Sequence, residues 1–157
     1  MYPGSFDPFT FGHLDVLCRI GKIFDRVIVA VGHNPKKPGF LPPKVRQQLI
    51  IETLAELTDR ELAAKIEVDT FRGLAVDFAH TRGANIIVKG VRTARDLAVE
   101  LQQATANRDL TGIETLFLPT AAKWSQVSSS LVRELVQFGA PISSYVPEPV
   151  VKYLQKD

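Results

Sequence analysis

Arg26-Val27-Ile28-Val29-Ala30-Val31 is a nearly unbroken β-branched and apolar run without a three- or four-residue period. A strand with one face in water alternates polar and apolar side chains. A run that is apolar on both faces belongs to a strand covered on both sides, as in a parallel sheet. Shorter runs of the same kind recur at residues 65–68, 85–88 and 115–118. Helical patterns fill the intervals. Leu14, Leu17, Cys18, Gly21 and Phe24 fall on one helix face. Pro42 and Pro43 suit the first turn of a helix reaching about residue 57, because that turn needs no N–H from them. Further helices are expected over 74–81, 94–110 and 128–138, and Pro147 opens a short terminal one. Strands alternating with helices imply an α/β fold, a single-domain doubly wound parallel sheet of Rossmann-like type with helices on both faces. No repeat, low-complexity tract or interdomain linker interrupts residues 1–157.

The bulk composition narrows the class. Of 157 residues, 45% are hydrophobic and 23% charged, an ordinary globular balance. No apolar run approaches the roughly 20 residues that span a bilayer. The chain opens without the basic-then-apolar pattern of a secretory signal, so no membrane partner and a cytoplasmic location are expected. The single cysteine, Cys18, permits neither an internal disulfide nor a cysteine-rich zinc site, and on its apolar helix face it reads as a small core residue. His13, His33 and His80 are spread along the chain, so a catalytic metal site is not expected; His33 and His80 read as surface residues. A net charge of +2 is too small to argue for nucleic acid as a partner, although a local positive cluster would suit a small anion.

Chemistry concentrates at two places. The first is Tyr2-Pro3-Gly4-Ser5-Phe6-Asp7-Pro8-Phe9-Thr10-Phe11-Gly12-His13, a turn-rich loop entering a helix. Loops that follow parallel strands lie at the carboxyl edge of the sheet, where ligands bind. Thr10 and His13 share a face at the helix start, where free N–H groups and the helix dipole favour phosphate. Only Met1 and Tyr2 precede this loop, against about five or six residues in a usual strand. The first strand is therefore expected to be truncated, unless the start of the chain has been placed late. The second place is Trp124-Ser125-Gln126-Val127-Ser128-Ser129-Ser130, followed by Leu131, Val132 and Arg133. Three serines at the mouth of a helix offer hydroxyls and N–H groups to an anion.

These two runs resemble the SFDPxTxGH and WSxxSSSLxKE motifs of phosphopantetheine adenylyltransferases, nucleotidyltransferases with an HxGH-type loop in which Thr10 replaces the first His. The middle of the chain agrees with the resemblance. Lys36-Lys37-Pro38 follows the second strand, Lys89-Gly90-Val91-Arg92 the fourth, and Asn107-Arg108 comes later. The ending Tyr145-Val146-Pro147-Glu148-Pro149-Val150 is similar too. Departures are local. Asp96-Leu97-Ala98-Val99-Glu100 stands where the family has DFEYE, and Pro42-Pro43 where an acidic helix start is common. Residues 58–65 look like a surface elaboration. Lys89 and Arg133 each exchange one cation for the other, which keeps charge but alters geometry.

The resemblance implies transfer of the adenylyl group of ATP to the phosphate of 4'-phosphopantetheine, giving dephospho-coenzyme A and pyrophosphate. A phosphate nucleophile is already ionised, so positioning and fixed positive charge should supply catalysis. In that scheme His13 donates to the α-phosphate, Lys36 and Lys89 hold the acceptor phosphate, and Arg92 with Ser128, Ser129 and Ser130 binds the β- and γ-phosphates. The resemblance further assigns Ser5 and Phe6 to both ligands. It gives Gly90, Val91, Glu100, Trp124, Ser125, Gln126 and Val127 to the nucleotide, and Leu74, Ala75, Asn107 and Glu134 to the pantetheine arm. Helices from about residue 128 would complete the ATP site. Mg²⁺ would arrive with ATP, and the family's homohexamer is implied. Two rival readings stand beside this one, a related nucleotidyltransferase acting on another phosphate or alcohol acceptor, and a non-catalytic nucleotide-binding protein.

Overall fold

The computed structural model describes residues 1–33 and 39–155. Five parallel strands alternate with helices: β1 (Tyr2–Gly4), β2 (Val27–His33), β3 (Ile66–Arg72), β4 (Ile86–Val91) and β5 (Glu114–Pro119). The helices are α1 (Phe11–Gly21), α2 (Pro43–Ala55), α3 (Arg60–Ala64), α4 (Ala75–Thr81), α5 (Ala94–Thr111), α6 (Ser129–Gln137) and α7 (Glu148–Leu154). A 3₁₀ turn, Ala122–Trp124, precedes α6.

The first strand is short, as expected, but it takes in Pro3 and Gly4 as well as Tyr2. β1 pairs with β2, and β2 with β3; β4 and β5 form a separate ladder. Met1 stitches the two groups. Its N donates to Ile86 O at 2.7 Å, and its O accepts from Val88 N at 2.8 Å. Alternate residues of a strand face the same neighbour, so Pro3 is next on the β4 side. Having no N–H, it cannot extend that ladder. Side by side the strands run β3-β2-β1-β4-β5, and the order reverses between β1 and β4.

The run that opened the sequence reading divides between two cores. Val27, Val29 and Val31 enter one, with Val16, Leu17, Ile20, Ile50 and Val132. Ile28 and Ala30 enter the other, with Val76, Ala79 and Ile87. Both faces of the sheet are therefore covered, which is why this strand carries no polar alternation.

Residues 58–65 hold more structure than a surface elaboration. Asp59 caps α3 by accepting from Leu62 N at 2.9 Å, and Leu62 is buried against α1. A Cβ on Gly21 would fall 2.5 Å from Leu62 Cδ1, so the glycine makes room for that contact. β4 also runs further than expected. Lys89, Gly90 and Val91 are strand residues, not a loop after the strand.

Candidate active site

A cleft of about 440 Å³ opens at the carboxyl ends of β1, β4 and β5. It lies where the strand order reverses, the usual ligand position in an open parallel sheet. Ser5 and His13 line it from the β1–α1 segment, Gly90 and Arg92 from β4 and its end, and Val127 to Ser130 from the start of α6. Arg95, Asp96 and Glu100 come from α5, and Arg133 from α6. Three arginines face two carboxylates, so the lining suits an anion.

The His13 ring is held on every side but one. Thr10 is the N-cap of α1, and the two residues form a capping box. Thr10 N donates to His13 Nδ1 at 3.1 Å, while Thr10 Oγ1 accepts from His13 N at 3.4 Å. Phe9 stacks on the ring at 5.6 Å and Phe6 meets it edge-on at 5.1 Å. A backbone N–H can only donate, so Nδ1 is the acceptor and the ring proton sits on Nε2. Nε2 has no partner among the described residues. Burial, and then the Arg92 charge, push the imidazole pKa down to about 4. The result is a neutral, oriented N–H donor in the cleft wall.

Around it the cations are pre-set. Arg92 Nε donates to Asp96 Oδ2 at 3.1 Å and Nη1 to Val127 O at 3.1 Å. Lys89 Nζ forms an ion pair with Glu100 Oε2 at 3.0 Å. Arg133 Nη1 donates to Asp7 O at 2.6 Å and Nη2 to Ser130 Oγ at 3.0 Å.

The serine hydroxyls of α6 are used differently from the sequence expectation. Ser128 Oγ caps Leu131 N at 3.1 Å, Ser129 Oγ donates to Pro8 O at 2.8 Å, and Ser130 Oγ accepts from Arg133. The N–H groups of Ser129 and Ser130 remain without partners among the described residues. Ser129 ties α6 to the β1–α1 loop, Ser128 and Ser130 bond within the helix, and the amides and helix dipole are what an anion would meet.

With this geometry in view, the likeness to known proteins is informative. Residues 1–135 match the family model described as cytidylyltransferase-like. The phosphopantetheine adenylyltransferase of Synechococcus sp. (strain JA-3-3Ab) is 48% identical over 157 residues, covering 99% of this chain and 95% of that protein. This chain belongs to the phosphopantetheine adenylyltransferase family. The relative from Alkaliphilus metalliredigens is 43% identical over 157 residues, covering 99% of this chain and 96% of that one. Among solved structures, Plasmodium falciparum nicotinic acid mononucleotide adenylyltransferase complexed with NaAD matches with a TM-score of 0.72. That match spans 99% of this chain and 93% of the other at 15% identity, a likeness of fold.

Several residues assigned by resemblance to phosphopantetheine adenylyltransferases stand outside the cleft lining. Phe6 is 2% exposed and supports His13 from behind, at φ 49, where non-glycine residues are rare. Lys89 and Val91 lie along β4. Trp124 stacks on Phe11 at 5.1 Å beneath Lys123 Nζ, and Ser125 Oγ donates to Ala122 O, so with exposed Gln126 they form the turn beside the cleft. Leu74 caps α4, 56% exposed, and Ala75 begins that helix. Asn107 lies on α5 and Glu134 on the exposed side of α6. Lys36 lies outside the described residues.

The sequence reading missed the braces. Asp7 is buried, and its two carboxylate oxygens accept from Phe40 N at 2.7 Å and Leu41 N at 2.8 Å. Arg46, 3% exposed, donates to Leu41 O at 3.0 Å, to Gly32 O at 3.1 Å and to Ser5 O. A signal for it was available. Arg46 precedes Leu49, Ile50 and Thr53 on the buried stripe of α2, and a charge on such a stripe needs partners.

Proposed function

We infer that the protein transfers the adenylyl group of ATP to the phosphate of 4'-phosphopantetheine, forming dephospho-coenzyme A and releasing pyrophosphate. The observation that carries the reading is a neutral His13 whose free Nε2–H shares one cleft with Arg92, Arg95, Arg133 and the open amides of α6. That set stabilises negative charge and supplies no base at neutral pH. A nucleophile that is already anionic, such as a phosphate monoester, needs none.

In this reading a phosphate oxygen of the acceptor attacks the α-phosphorus, forming one P–O bond. The bond to the β-phosphate oxygen breaks, and its electron pair leaves with pyrophosphate. His13 Nε2–H donates to an α-phosphate oxygen. Arg92 and the start of α6 hold the β- and γ-phosphates, and Lys89 with Lys36 holds the acceptor phosphate. Asp96 and Glu100 orient Arg92 and Lys89 before ligands arrive, which lowers the ordering cost of binding. ATP enters as its Mg²⁺ complex, the metal being part of the substrate. Among the described residues no cluster of three His, Cys, Asp or Glu side chains stands ready to hold a metal.

The working assembly in this proposal is the homohexamer implied by the family resemblance. α5 supports it, because its 18 residues include none that is buried. Leu101, Leu110 and, on edge strand β5, Leu116 are 48%, 66% and 47% exposed, apolar side chains that other copies of the chain would cover. Among the described residues no helix is long and apolar enough to cross a membrane, and the proposed location is the cytoplasm. The test is mass spectrometry of the products formed from MgATP and MgCTP with phosphopantetheine, nicotinamide mononucleotide and an alcohol such as pantetheine. Dephospho-coenzyme A from ATP and phosphopantetheine is expected. Preferential adenylation of another acceptor would overturn the reading.

A further inference from the structure

One polar group of the cleft lining, the Tyr2 hydroxyl, takes no part in the transfer steps. Tyr2 is 4% exposed, yet it lines the cleft beside Gly90 and Glu100. Its ring meets Phe6 edge-on at 5.2 Å. Its hydroxyl lies close over Gly90, where an added Cβ would stand 3.5 Å from the phenol oxygen and 3.0 Å from Val16 Cγ2. Among the described residues the hydroxyl has no hydrogen-bond partner. Tyrosine hydroxyls in such surroundings normally find one, and this one, on the cleft wall, is open to donate to a ligand.

The surroundings say which part of the ligand fits. Burial, then Asp15, holds the phenol well above its usual pKa, so it acts as a neutral donor. Arg92 acts in the opposite direction, and Glu100, whose Oε2 is buried with the Lys89 ion pair as its contact, adds a smaller upward push. Charges of both signs therefore surround the phenol, with Arg92 and the Lys89–Glu100 pair offsetting one another, and a neutral donor there matches a neutral partner. A sugar hydroxyl is such a partner. Phe6 touches both Tyr2 and His13, so the phenol and the imidazole flank one ring. A nucleotide whose α-phosphate meets His13 carries its ribose next to that phosphate.

We propose that the Tyr2 hydroxyl donates a hydrogen bond to a ribose hydroxyl of ATP and so positions the sugar that carries the α-phosphate toward His13. The proposal rests on the adenylyl-transfer reading and adds a residue that selects ribonucleotides.

The experiment compares wild type with Tyr2→Phe on ATP, 2'-deoxy-ATP and 3'-deoxy-ATP, reading affinity by calorimetry and kcat/KM by pyrophosphate release. In wild type one of the two deoxy nucleotides should be weaker by about tenfold, the size of one neutral hydrogen bond. In Tyr2→Phe, ATP should fall to the level of that analogue, while the analogue itself is unchanged. The loss should appear in KM for ATP, leaving KM for phosphopantetheine unaltered, and the ligand-free melting temperature should not drop. An unchanged ATP affinity would overturn the proposal, as would an equal loss on all three nucleotides. So would a fall in ligand-free stability, which would place the hydroxyl's bond inside the protein. If wild type binds ATP without turning over phosphopantetheine, the functional reading fails, and the calorimetric comparison still decides the role of Tyr2.

Discussion

The backbone N–H of Thr10 donates to Nδ1 of His13 at 3.1 Å, and this bond fixes which imidazole nitrogen faces the cleft. Because Nδ1 is occupied as an acceptor, Nε2 carries the proton in the neutral ring. With its pKa pushed down to about 4 by burial and then Arg92, that ring keeps one form throughout the neutral range. In the proposed reaction His13 would work like the N–H of an oxyanion hole, set in place before charge develops.

Removing that donor should mainly affect the chemical step. His13→Ala is expected to lower kcat by about 10²–10³ while ATP affinity stays within a few-fold. Steady-state kinetics with calorimetry checks this, and an unimpaired variant would contradict the role given to His13.

The same ring makes stability depend on pH. In the unfolded chain a histidine titrates near 6.5, while in the fold His13 titrates at about 4. Between those values the unfolded state binds more protons, so stability rises with pH across this window. The contribution is complete above the unfolded value and is lost as pH falls through the folded one. At one pKa unit per 1.36 kcal/mol, it amounts to at most roughly 3 kcal/mol. Thermal melts at pH 4, 5, 6 and 7 should show His13→Gln with a shallower acid loss than wild type. Parallel curves would place the proton elsewhere.

Arg46 holds the β1–α1 loop against the start of α2. Arg46→Leu removes bonds to three carbonyls and leaves Asp7 Oδ1 without the guanidinium 4.0 Å away. Loss of one member of a buried charged pair costs about 3–5 kcal/mol. At roughly 2–4 °C per kcal/mol, a fall in melting temperature on the order of 10 °C is expected. A shift of under about 2 °C would show that Asp7 and its two amides hold the loop alone.

The exposed apolar side chains of α5 bear on assembly. Leu101→Asp with Leu110→Asp puts charge at two exposed positions of the single chain, so folding should survive, as judged by circular dichroism. Native mass spectrometry should show hexamers for wild type and smaller species for the double variant. A wild type that stays monomeric at micromolar concentration would contradict the proposed assembly.

Much of the layout was legible in the sequence because it depends on local pattern. The run from Arg26 to Val31 had to be covered on both faces, and the two cores that share its side chains bear that out. The Thr10–His13 spacing announced a helix start, and the capping box supplies it. What escaped depends on contacts distant in sequence. The short helix Arg60–Ala64 exists because Leu62 fits against Gly21, a pairing that no local period reveals. Arg46 reads as an ordinary helix residue until Ser5 and Gly32 come within its reach. The three serines of α6 looked like anion ligands, but their hydroxyls depend on where Pro8, Arg133 and the Leu131 amide fall.

In the proposed mechanism an anionic phosphate attacks while His13 stays a neutral donor, so no group has to lose a proton near neutrality. The direct measurement is pyrophosphate release against pH with saturating MgATP and phosphopantetheine, in wild type and in His13→Ala. A phosphate monoester has its second ionisation near 6, and the lysines proposed to hold it would lower that further. Turnover of wild type should therefore be nearly flat from about pH 7 to 8.5, with any acid limb lying below that ionisation. His13→Ala should run parallel at a lower level. A tenfold rise per pH unit across that range, persisting in His13→Ala, would reveal a general base and contradict the mechanism.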